Sequence, residues 1–180
     1  MRRITLLMIC LALAACARAP DFVLTDQNGH AFHFSQVRGK AAAVFFGYTH
    51  CTDVCPTTLM RLAQAKRLLG ADASRVAVLF ITVDPGRDVP SRLKIFVHTF
   101  DPAFVGLTGT QAQLKPVYKA FHVWLQRLPS RDRNNYEMAH TSSITFLYPN
   151  GAWSGVGDWT DQPPALAADF RKALRGGLSL

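Results

Sequence analysis

The sequence predicts a three-layer α/β domain with a mixed central sheet. Three observations carry this. Two nearly continuous apolar runs, Ala41–Tyr48 and Val76–Val83, have the character of strands buried on both faces. Segments with helical spacing of apolar residues alternate with them. Asn150-Gly151, set between two further short strand-like runs, marks an antiparallel hairpin.

Each element has its own reason. Residues 22–34 read as a small N-terminal hairpin around Asn28-Gly29. After the Ala41–Tyr48 strand, Pro56 to Leu69 carries Leu59, Leu62, Ala63, Lys66 and Leu69 at helical spacing, with Pro56 suited to a first turn and Gly70 as the stop. The Val76–Val83 strand leaves through Asp84-Pro85-Gly86 and leads to a helix over Pro90–Phe100. Phe104–Leu107 is a short strand, and Thr110–Phe121 a helix disturbed near Pro116. Pro129–Asn135 is a polar excursion without element character. Ser143–Tyr148 and Ala152–Val156 form the late hairpin, and Pro163–Leu174 is a closing helix. There is no internal repeat and no low-complexity stretch.

The chain has 180 residues, 49% apolar and 18% charged, which suits one globular domain and excludes disorder. The net charge of +8 is spread out, with no basic run longer than Arg2-Arg3, Lys66-Arg67 or Arg171-Lys172. Nucleic-acid binding is therefore not expected, because it needs clustered basic residues. A solvated basic surface near an anionic membrane suits the charge better.

The first residues set the compartment. Arg2-Arg3 precedes a short apolar stretch, Ile4–Ala15, well below the roughly 20 residues needed to span a bilayer. It reads as a signal peptide over residues 1–15. Leu13-Ala14-Ala15-Cys16 resembles a bacterial lipobox, so Cys16 is the candidate lipidated N-terminus, with 16–21 a short tether and 22–180 the folded domain. The expected location is the periplasmic side of a bacterial membrane, held by lipid. An ordinary signal cut near Ala17 or Ala19 is the alternative.

Of the four cysteines, Cys10 lies in the signal and Cys16 carries lipid, which leaves Cys51 and Cys55. They sit where a buried strand gives way to a helix start. Ligands in open α/β sheets bind beyond the carboxyl ends of strands, and helix N-termini favour thiolates. If the segment is helical, positions i and i+4 put both sulfurs on one face, apt for a shared metal or a disulfide. Among the six histidines, His30, His33, His98 and His122 read as surface or boundary residues, and His50 should point away from Cys51. His140 differs: it falls in a loop just before the Ser143 strand. In thioredoxin-like folds that loop faces the dithiol, which makes His140 the candidate third ligand.

Four pieces carry a family resemblance: Val44-Phe45-Phe46-Gly47-Tyr48-Thr49-His50-Cys51-Thr52-Asp53-Val54-Cys55-Pro56, then Thr82-Val83-Asp84-Pro85-Gly86-Arg87-Asp88, Gly106-Leu107-Thr108-Gly109-Thr110 and Met138-Ala139-His140-Thr141-Ser142. In order and spacing they resemble the Sco/SenC family of thioredoxin-like copper-binding proteins. The resemblance implies copper bound by Cys51, Cys55 and His140, with Asp84 as an accessory group. Gly86, Val89 and the stretch from Pro129 to Tyr136 are this chain's own. Two thiolates and an imidazole suit Cu(I), and hold Cu(II) with an added ligand; zinc would accept the same set but binds more weakly than copper.

The resemblance further implies a metallochaperone that receives copper from a donor and delivers it to the copper-A subunit of cytochrome c oxidase. The alternative is a thiol–disulfide oxidoreductase that reduces the target's cysteines, with Cys51 attacking and Cys55 resolving. Loss of His140 separates the two, since only a metal carrier needs it. A peroxidase is disfavoured, because Tyr48-Thr49-His50-Cys51 lacks the surrounding Pro and Arg in place.

Overall fold

The computed structural model describes residues 18–132 and 135–176. The signal-type segment 1–15 and the lipidation candidate Cys16 lie outside the described residues.

Thirteen elements follow one another: β1 Val23–Asp26, β2 Ala31–His33, β3 Ala41–Gly47, α1 Val54–Arg67, β4 Val76–Thr82, α2 Pro90–His98, β5 Val105–Thr108, α3 Gln111–Ala120, β6 Leu125–Arg127, β7 Met138–His140, β8 Ile144–Leu147, β9 Trp153–Gly157 and α4 Pro163–Gly176. Seven strands form one sheet in the order β2-β1-β5-β4-β3-β8-β9. Strand β3 runs parallel to β4, and β4 to β5, while β8, β9, β1 and β2 pair antiparallel. The sheet is therefore mixed, as the sequence predicts.

The apolar run of β3 reflects cover on both faces: all seven of its residues are buried. Successive strand residues point to opposite faces. Phe45 meets Phe80 at 6.1 Å, and Phe80 meets Phe96 of α2 at 5.4 Å. Phe46, on the other side, meets Tyr118 of α3 at 6.1 Å and Phe121 at 5.5 Å. Helices α1 and α4 pack on each other, with α4 also against β3, β8 and β9. Among the described residues no helix is long and apolar enough to cross a membrane.

Two boundaries and one helix interior differ from expectation. Helix α1 begins at Val54, two residues before Pro56, so Cys55 lies in its first turn. Helix α3 continues through Pro116, held by its buried Leu114, Val117 and Tyr118. Residues 18–21, expected in the tether, already belong to the fold. Arg18 pairs with Ala152, and the small, buried Ala19 donates its N–H to the Gly151 carbonyl at 2.9 Å.

The larger correction concerns residues 125–140. No strand is expected there, yet β6 and β7 form a separate two-stranded ribbon, pairing Leu125 with His140 and Arg127 with Met138. His140 thus ends a strand and does not sit in a loop. The strands are three residues each, half-buried or exposed, and so leave no apolar period to read.

Candidate metal centre

The site forms where β3 and β4 end side by side, Gly47 paired with Thr82. Asp88, fully buried, ties the two strand ends together. It accepts from Thr49 Oγ1 at 2.6 Å, Thr49 N–H at 3.1 Å and Thr82 Oγ1 at 2.6 Å. Burial raises its pKa, against the pull of those donors. Fixing Thr49 fixes the turn behind it, in which the Cys51 N–H donates to the Tyr48 carbonyl at 3.2 Å.

That turn delivers Cys51 to the open end of α1. The N-terminal N–H groups of a helix need outside acceptors. Asp53, at the cap position, supplies no side-chain bond. The sulfur of Cys51 does so instead: the Cys55 N–H donates to Cys51 Sγ at 3.3 Å. Cys55 is buried under it, and a side chain at residue 47 would collide with its sulfur. A Cβ there would stand 2.7 Å from Cys55 Sγ and 2.7 Å from the Phe80 ring. Gly47 is thus required by close approach.

The two thiols differ. Hydrogen bonding from the Cys55 thiol, helped by the N–H groups of Cys55 and Asp53 and by His140, brings Cys51 down to about 5 against the opposing effect of burial. Cys55 is pushed far up, because its proton is held in the bond to Cys51 and its surroundings are dry. In the metal-free protein the pair therefore holds one thiolate, on Cys51, and one thiol. The expectation that the helix start favours thiolates holds for Cys51 and fails for Cys55. Both are free cysteines here, with their sulfurs in hydrogen-bonding contact.

His140 comes to the same place from the ribbon. Its ring stands edge-on to Tyr48 at 5.9 Å. Its Nδ1 lies 2.9 Å from the Thr141 carbonyl, which can only accept, so Nδ1 is the donor there and Nε2 is the nitrogen not used in that bond. Metal-binding histidines are held in this way. Cys51, His140, Tyr48, Trp124 and Met138 line one open cavity of about 430 Å³. Among the described residues, however, no three His, Cys, Asp or Glu side chains are gathered closely enough to hold a metal as they stand. Cys51 and His140 share the cavity, and Cys55 lies beneath.

Asp84 does not line that cavity. Tyr136 donates to its Oδ1 at 2.6 Å, and Arg87 Nε engages its Oδ2. Its part is to anchor neighbours. His50 turns toward Arg92, as its place beside Cys51 suggests, with Nε2 2.8 Å from the guanidinium. Sequence reasoning missed Gly47, Thr49, Asp88 and Tyr136. Gly47 had a signal, as a glycine closing an otherwise bulky apolar strand before the cysteines; Tyr136 had none.

With this geometry in view, likeness to known proteins fixes the family. The SCO1/SenC family model matches residues 14–175, and the chain belongs to that family. A SCO2-like protein of Rickettsia conorii is 37% identical over 134 residues, covering 74% of this chain and 65% of its own length. The chain thus spans about 65% of that relative. The copper-bound structure of Bradyrhizobium japonicum ScoI is 38% identical, with a TM-score of 0.80 over 88% of this chain and 100% of that one. Copper-bound ScoI of Arabidopsis thaliana is 27% identical, with a TM-score of 0.82 over 89% and 99%. The fold is the thioredoxin-like fold of these proteins.

Proposed function

We propose that this protein is a copper carrier. It takes up copper through Cys51, Cys55 and His140 and passes it to the copper-A site of a cytochrome c oxidase subunit. The observation that carries this reading is that Cys51 and His140 line one open cavity, with the buried Cys55 bonded to the Cys51 sulfur beneath it and His140 Nδ1 turned to the Thr141 carbonyl. The copper-bound relatives support the choice of metal. Two sulfurs and an imidazole suit Cu(I), and Cu(II) with one added ligand. Loading must expel the Cys55 proton, because ligation requires thiolate. A half-exposed imidazole on a separate ribbon leaves room for an acceptor's ligands to enter as His140 leaves.

Copper binding to the reduced protein tests this. Wild type is expected to take one copper per chain, with sulfur-to-Cu(II) charge-transfer absorption. His140→Ala should weaken binding by more than about a hundredfold, since losing even a partner of a ligand costs up to that much. Unchanged affinity in His140→Ala removes His140 from the site.

The split between the two thiols favours a second use, as a dithiol reductant. The Cys51 thiolate would attack a target disulfide and release one target thiolate. Cys55 would then attack the Cys51 sulfur, releasing the second and leaving a Cys51–Cys55 disulfide. Target reduction by His140→Ala but not Cys51→Ser supports it.

Lipid on Cys16, at the periplasmic face of the membrane, completes the reading. The chain joins the fold at Arg18 and Ala19, beside Gly151. That is the end of the sheet where β3 begins, opposite the end that carries Cys51. The metal cavity would then open away from the anchor. An intact mass showing residues 1–15 lost and acyl chains gained is the check; a mass without acyl chains excludes it.

A further inference from the structure

Tyr136 occupies an unusual position. Its ring lies between two guanidinium groups, with Arg87 Cζ 3.5 Å and Arg127 Cζ 3.7 Å from its centroid. Its hydroxyl donates to Asp84 Oδ1 at 2.6 Å, and Arg87 Nε engages the other carboxylate oxygen. Arg127 belongs to the ribbon, on β6, while Arg87 and Asp84 belong to the turn that follows β4. One side chain therefore clasps the ribbon to the body of the domain.

The body side of this clasp leads on to the cysteines. Asp84 N–H donates to Thr82 Oγ1 at 2.9 Å, and the Asp84 carbonyl accepts from the Arg87 and Asp88 N–H groups at 3.1 and 3.0 Å. Asp88 holds Thr49, two residues from Cys51. On the ribbon side, Tyr136 stands four residues before His140, across a strand of only three half-buried residues. An isolated two-stranded ribbon is at best marginally stable. Its orientation must come from outside contacts.

We propose that Tyr136 is a positioning residue of the metal centre: its clasp on Asp84 and Arg87 sets where the ribbon holds His140 relative to Cys51 and Cys55. This rests on the copper-carrier reading. Because the three ligands are not gathered in the metal-free protein, the ribbon must shift as copper enters and leaves. The clasp limits how far it swings back.

Two variants separate the parts. Tyr136→Phe keeps the ring between the guanidinium groups and loses the bond to Asp84. Tyr136→Leu loses both. The readouts are the rate of copper release to a competing chelator, the fraction of bound copper with nitrogen ligation by X-ray absorption, and amide exchange in the metal-free protein. Release should quicken about tenfold in Tyr136→Phe and up to roughly a hundredfold in Tyr136→Leu, the scale of a hydrogen bond to a charged group and of that bond plus cation–π contact. Nitrogen ligation should fall in step. The ribbon N–H groups of Leu128 and Thr141, bonded to the Glu137 and Trp124 carbonyls, should exchange faster, and those of β3 should not change.

A purely structural tyrosine would lower the unfolding midpoint while leaving release and ligation per folded molecule as in wild type; that result overturns the proposal. If Tyr136→Leu does not fold, Arg127→Gln, which removes one guanidinium, takes its place with the same expected directions. If wild type binds no copper, the carrier reading fails by itself. Exchange at Leu128 and Thr141 then decides the clasp: faster in the variants supports it, unchanged overturns it.

Discussion

The Cys51 side and the His140 side of the cavity are built differently. Cys51 follows a strand buried at every residue, held by a fully buried carboxylate and capping a helix. His140 ends a ribbon of two three-residue strands outside the main sheet, fastened to the body through Tyr136 and through the partly buried Leu125 and Met138. The sulfurs are fixed by the core, and the imidazole is carried on an adjustable arm. The contrast suits the proposed copper carrier, because one ligand could then leave without disturbing the fold. Local opening free energies follow the same order, low where apolar burial is slight and high in core strands.

The largest expected effect breaks the rigid side. Asp88→Ala strips three donor groups of their buried acceptor, and each such loss costs about 1–3 kcal/mol, partly relieved by removing a buried charge. A net loss of roughly 3 kcal/mol in stability by denaturant unfolding is expected. Asp88→Asn should be milder, because its oxygen can still accept from Thr49 Oγ1. An equal loss from the ribbon change Arg127→Gln would abolish the contrast.

The next concerns proton binding on the rigid side. Cys51 is brought from an ordinary 9.0 to about 5. Between those values the unfolded chain binds a proton that the folded one does not. The stability contributed by Cys51 is thus complete above about pH 9, and is lost as pH falls through about 5. Alkylation of Cys51 should stay on its thiolate plateau down to near pH 6 and fall below about pH 5. Cys55→Ala removes the main cause and should move that fall upward. A profile unchanged by Cys55→Ala would place the cause in the helix end alone.

The smallest effect tests a cavity-lining imidazole that is engaged elsewhere. His50 adjoins Cys51 in sequence but engages Arg92. His50→Ala should change copper affinity by no more than about twofold, because its ring is held by Arg92 and its loss removes no ligand. A loss comparable to that of His140→Ala would mean that the nearer imidazole, and not the ribbon's, completes the centre.

The sequence by itself determined the sheet, most of the helices and the cysteine pair. Long buried strands leave continuous apolar runs, α1 and α4 leave a helical period, and two cysteines at a strand–helix junction announce themselves by type and spacing. It also marked His140, by its place before the Ser143 strand and then by likeness to a family, but with the wrong local structure, a loop where there is a strand. Tertiary structure alone decided the rest. The unequal protonation of Cys51 and Cys55 depends on which sulfur is buried and which caps the helix. The roles of Asp88 and Tyr136 depend on partners 39 and 52 residues away. The ribbon is held by side-chain contacts with the β4–α2 turn, with only Leu125 and Met138 partly buried against the core. Periodicity records burial, and an element held in place by a few polar and cation–π contacts leaves no period to find.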